Sequence, residues 1–77
     1  MFLSDGQVGK KYIAEGLMLD NKLKRRLQVL GLTKNTKVEI LNKNFNGSLI
    51  FKVRGTRFAI SKKISSSIKI KEVPIHE

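Results

Sequence analysis

The chain has 77 residues, no cysteine and a formal net charge of +10 at pH 7. That length allows one small domain, which buries only about 60% of its unfolded surface. The lack of cysteine excludes disulfides, thiolate nucleophiles and thiolate metal sites, and no stretch approaches the roughly 18 apolar residues of a membrane span.

The opening MFLSDGQVG has no basic region and no apolar run, so no signal peptide is expected. The protein is read as soluble and intracellular. Residues 4–10, SDGQVGK, are rich in turn formers. KKYIAEGLML follows as a first strand of uneven alternation, marked by Tyr12, Ile13, Leu17 and Leu19, with a bulge or bend expected at Gly16. Asp20 can N-cap a helix, its carboxylate accepting orphan amide hydrogens. The helix is predicted over about 21–30, where Leu23, Leu27 and Leu30 recur at i, i+4 and i+7 as the core face. Gly31 suits the left-handed residue just past the helix end.

Beyond Gly31 the period changes to two. In TKVEIL, Val38 and Ile40 point one way and Lys37, Glu39 and Leu41 the other. NKNFNG reads as a loop. In SLIFKVR, Leu49, Phe51 and Val53 share one face. Gly55-Thr56 is predicted as a type II′ hairpin loop, glycine first, leading to RFAI with Phe58 and Ile60 inward. SKKISSS is read as one short turn or a scrap of helix. IKIKEV is a last strand with Ile68 and Ile70 inward. Pro74 is expected to end pairing, and residues 73–77 are expected to form a frayed tail. The sum is a mainly β chain with one inserted α-helix. A flat sheet this small would leave edges and an uncovered face, so a small five-stranded barrel plugged by the helix is expected.

The runs KRRLQVLGL, TKNTKVEIL and VRGTRFAISKKISSSIKI resemble the FeoA family in order and spacing. The resemblance covers about residues 3–72, and its most specific parts are Arg26-Leu27 with Gly31-Leu32 and the hairpin Val53-Arg54-Gly55. It implies an SH3-like barrel that accompanies FeoB, the membrane ferrous-iron transporter with a cytosolic GTP-binding domain. Related SH3-like domains occur at the ends of metal-dependent repressors. Two positions depart from the family pattern. Lys34-Asn35 stands where Pro-Gly is usual, and asparagine tolerates the left-handed conformation needed there. Asn46, Gly47, Ser48 and Leu49 stand where a Gly-Asp-Pro loop is common in the family, so a loop of different shape is expected there.

Lys22, Arg25, Arg26 and Val29 fall at i, i+3, i+4 and i+7 on a helix face beside the core. Long basic side chains often lay their stems over apolar surface and keep their heads in water, and Lys22 and Lys24 are read chiefly that way. Arg26 is read as structural, bracing the core stripe. Arg25 and Val29 are read as a docking surface with Lys22 at its rim. Phe45, at the tip of NKNFNG, either folds back or is held out as an anchor for a partner.

Other chemistries find little support in the residues. The lone histidine, His76, lies in the expected tail, and Asp5, Glu15, Asp20, Glu39, Glu72 and Glu77 have no ligand spacing, so no metal site or cofactor is expected. There is no Ser-His-Asp set and no GxxxxGK[ST] loop. Ser65-Ser66-Ser67 is read as satisfying a turn. Arg54 and Arg57 flank the hairpin and are conceivable as arginines offered to a GTPase, though two solvated cross-strand arginines is the simpler reading.

The resemblance thus implies a non-enzymatic adaptor on the cytosolic side of a FeoB-type transporter, with the net charge suited to an anionic membrane surface. The alternative is a basic small-barrel nucleic-acid-binding protein, for which Tyr12 and Phe45 are the available stacking residues.

Overall fold

The computed structural model describes residues 1–73. Pro74 and most of the expected tail, His76 included, lie outside the described residues. In chain order the elements are β1 (Lys11–Leu17), α1 (Asn21–Val29), β2 (Lys37–Lys43), β3 (Leu49–Val53), β4 (Thr56–Ile60), α2 (Lys62–Ser65) and β5 (Ile68–Glu72), preceded by one 3-10 turn at Leu3–Asp5. The mainly β architecture with a helix inserted between β1 and β2 matches expectation, and SKKISSS is indeed a scrap of helix, N-capped by Ser61.

All five strands pair antiparallel in one sheet of order β4-β3-β2-β1-β5. The hydrogen-bonded order thus has two ends, β4 and β5. Register shifts in two places. Between Ala14 and Gly16, β1 gains a residue against β5 at the glycine expected to bend it. Between Ile40 and Asn42, β2 gains one against β3, a bulge with no sequence signal. Each extra residue bends its strand and raises the twist, which lets so short a sheet enclose a core.

That core is built from the inward faces of the strands: Tyr12, Ala14 and Leu17 of β1, Val38 and Ile40 of β2, Leu49, Phe51 and Val53 of β3, Ile60 of β4, and Ile68 and Ile70 of β5. Phe58 packs on it from the rim, its ring stacked on Phe51 at 5.4 Å. Leu3, fully buried in the 3-10 turn, adds a core residue that the sequence pattern does not mark.

The helix is not the plug that was expected. Of α1 only Leu27 is buried, with Leu23 packed partly against the core. Leu30, predicted to complete the core face, is 49% exposed. The cause is the way α1 ends. Leu30 is the C-cap, Gly31 takes φ 113°, and the chain reverses. The amide of Gly31 donates to the Gln28 carbonyl at 3.0 Å, and that of Leu32 to the Leu27 carbonyl at 3.0 Å. These two bonds make a Schellman motif, in which the residue after the glycine packs back on the last inward helical residue. Leu32, only 1% exposed, therefore occupies the core position that simple periodicity assigns to Leu30.

The β3–β4 turn also differs by one residue. Val53 pairs with Thr56, so the loop is Arg54-Gly55 rather than Gly55-Thr56. Both loop residues have positive φ, 50° and 82°, as a type I′ turn requires and a type II′ turn does not. The strand twist selects the primed turn, and arginine accepts the left-handed conformation. Asn35 does so at φ 70°, as its place in the Pro-Gly position implied.

Candidate functional site

Asp20 sets the start of α1, its Oδ1 accepting the Leu23 amide at 2.9 Å. With Leu27 turned inward, the opposite side of the helix presents Lys22, Arg25, Arg26 and Val29, followed by Leu30 at the cap. These five side chains line a shallow concavity of about 460 Å³. Val29 is 80% exposed. The floor is thus two solvent-facing aliphatic residues, and the walls are the methylene stems of three cationic side chains. Asp20, at the N-cap, is the only acidic residue on this element. Such a surface is suited to an apolar side chain ringed by carboxylates, because the cations steer the approach and the aliphatic floor supplies burial.

The structure brings Lys22, Arg25 and Val29 together and adds two residues to them. Arg26, expected to brace the core, is exposed and lines the same concavity. Its position one residue before Leu27 rotates it about 100° away from the core. Leu30 is the residue that sequence reasoning assigned to the wrong side. The signal that could have found it was Gly31 followed by an apolar Leu32. Lys24 behaves differently from Lys22: it is half-buried and lines a crevice between α1 and the β1 bulge with Glu15, Gln28 and Lys34.

Phe45 does not join this concavity. It sits at the β2–β3 tip, while the end of α1 lies by the β3–β4 tip, where a Cβ on Gly31 would come 3.5 Å from Arg54 Cδ. The two tips are opposite ends of β3. The Phe45 loop is nonetheless ordered by its own polar side chains. Asn46 Oδ1 accepts the Ser48 amide at 3.0 Å and its hydroxyl at 2.8 Å, and the Asn44 side-chain amide donates to the Ser48 hydroxyl at 2.9 Å. The ring is held out rather than folded back, and is fully exposed.

Tyr12, a candidate stacking residue, is 2% exposed, and its hydroxyl accepts the Gln7 amide at 2.9 Å. Ser65 is wholly buried and donates to the Lys62 carbonyl at 3.1 Å, a turn-satisfying bond. Among the described residues no cluster of three or more His, Asp or Glu side chains is placed to hold a metal ion.

The sequence matches the FeoA domain family model over residues 1–72. Among solved structures, the FeoA protein from Chlorobium tepidum superposes with a TM-score of 0.89 at 20% identity, covering 96% of this chain and 71% of that one. A crystallised FeoA described as an iron uptake regulatory protein gives a TM-score of 0.79 at 27% identity, covering 92% of this chain and 93% of that one. Stenotrophomonas maltophilia FeoA, a prokaryotic SH3 domain protein crystallised with zinc, gives 0.80 at 25% identity, covering 92% and 89%. No curated protein matches the sequence.

Proposed function

The chain belongs to the FeoA family, and from that premise we propose that it is a non-enzymatic adaptor of bacterial ferrous iron uptake. Membership implies a role in ferrous iron transport. The finer reading is that α1 docks on the cytosolic side of a FeoB-type transporter and modulates its assembly or activity. The observation that carries it is the exposure of Val29 and Leu30 inside a frame of Lys22, Arg25 and Arg26. Exposed apolar residues that are adjacent and ringed by charge mark interaction sites more than scattered single ones do. Phe45 is a second, separate contact for the same partner.

No helix among the described residues is long and apolar enough to cross a membrane. In this reading the protein is cytoplasmic and reaches the membrane through its partner. Its basic surface suits an anionic leaflet, where each nearby Lys or Arg adds about 1 kcal/mol. The nucleic-acid alternative is weakened by the burial of Tyr12, which leaves Phe45 as the only fully exposed aromatic among the described residues. Titrating the protein against the purified cytosolic domain of a FeoB-type transporter, and in parallel against oligonucleotides across a salt series, tests the choice. Transporter binding that survives physiological salt is expected. Oligonucleotide binding alone under those conditions would reverse the assignment.

A further inference from the structure

The two ends of the sheet are treated differently. The outer edge of β5 is covered: Phe2 bridges to Lys69, and the Ile70 amide donates to the Met1 carbonyl at 2.8 Å. Among the described residues β4 has no such cover. Its two-residue turn makes Val53–Thr56 a hydrogen-bonded pair, and antiparallel pairs alternate. The pairs Lys52–Arg57 and Ile50–Ala59 are therefore of the other kind, so the main-chain N–H and C=O groups of Arg57 and Ala59 point away from β3. Among the described residues no turn, loop or cap bond engages them. Natural sheets blunt such edges because they template another strand.

Charge says what kind of strand. On the outer face a cross-strand row runs Lys11, Glu39, Lys52, Arg57 across β1, β2, β3 and β4. The signs alternate until the edge, where Lys52 and Arg57 stand directly opposite each other as like charges, an unfavourable pairing. A carboxylate on a further strand beside Arg57 restores the alternation. A second copy of this chain would set Arg57 near another basic edge, and the net charge of +10 opposes that.

We propose that the β4 edge, at Arg57 and Ala59, accepts an extended partner segment with acidic residues at alternate positions, adding a strand to the sheet. This surface is distinct from the α1 concavity and does not depend on the reading given to it.

The probe is an acetylated peptide of about eight residues alternating Glu and Val, long enough to pair with a strand of this length. Its controls are the Lys–Val counterpart and an oligo-glutamate of matched charge. Amide exchange and chemical shifts are followed by NMR in the intact protein. The Glu–Val peptide should slow exchange at Arg57 and Ala59 by about tenfold near saturation, and neither control should do so. Ala59→Pro removes an amide that β3 does not use, so it should leave the fold intact and abolish the protection; edge strands tolerate proline at such positions. Arg57→Glu should transfer the response to the Lys–Val peptide, which keeps the test decisive if the proline variant unfolds. Protection confined to β5 or α1, an equal response to oligo-glutamate, or self-association through β4 without peptide would each overturn the proposal.

Discussion

The Lys43 ammonium donates to the carbonyl oxygen of Gly6 at 2.9 Å, and to that of Ser4 at 3.0 Å. A side chain at the end of β2 thereby fastens the N-terminal segment across the sheet, with Leu3 buried beneath it. The same segment covers the β5 edge, so this attachment helps leave β4 as the exposed end of the sheet.

Gly6 is the tight point of that segment. A Cβ there would collide with Ile40 Cδ1 and come 3.0 Å from Tyr12 Cε2. Both neighbours are core residues with little room to shift. Gly6→Ala should therefore destabilise by about 1–3 kcal/mol, the usual range for overpacking. Urea denaturation reads it as a lower midpoint at unchanged m.

Arg54 occupies the first position of a type I′ turn at φ 50°. Asparagine is much better suited to that conformation, and Asn-Gly is the favoured pair for the turn. Arg54→Asn should raise stability by about 0.5–1 kcal/mol, part of the left-handed penalty that non-glycine residues bear. A higher thermal midpoint is the expected observation, and a lower one would mean that the arginine side chain contributes contacts of its own.

The Schellman ending of α1 makes opposite forecasts for two leucines three residues apart. Leu27→Ala removes a buried side chain and should cost about 2–4 kcal/mol. Leu30→Ala removes a largely solvated one and should change stability by less than about 0.5 kcal/mol. If periodicity rather than the helix end decided burial, the two losses would be similar in denaturant titration.

Local chemistry was legible before the structure. The Asp20 cap, the Gly16 bulge, the left-handed Gly31 and Asn35 each rest on a conformational preference of a single residue, and each stands where the sequence placed it. The alternation of Val38 with Ile40, and of Leu49, Phe51 and Val53, likewise marked the core faces of β2 and β3. What escaped depends on chain reversal or on distant segments. Leu30 leaves the core because Gly31 redirects the chain. Arg54 takes a conformation that its side chain does not advertise. Leu3 and Tyr12 are buried by tertiary packing that no local pattern encodes. In the candidate site, Lys22, Arg25 and Val29 were legible from helical spacing, whereas the addition of Leu30 and the separation of Phe45 required the fold.

Phe45 makes no packing contribution to the core cluster, and its loop is held by Asn44, Asn46 and Ser48. Phe45→Ala should leave the thermal midpoint unchanged while weakening binding to the transporter's cytosolic domain by about tenfold, the mark of an exposed aromatic anchor. Equal affinity of variant and parent would remove Phe45 from the docking surface and leave α1 alone.

The most direct measurement is calorimetric titration of that cytosolic domain with the native protein and with the double variant Val29→Ser, Leu30→Ser. Both side chains are exposed, so the variant should unfold at nearly the parent temperature. Binding by the native protein and a loss of about tenfold or more in the variant are expected, as when the apolar centre of an interface is removed. Undiminished affinity in the folded variant would contradict the assignment of α1 as the docking element.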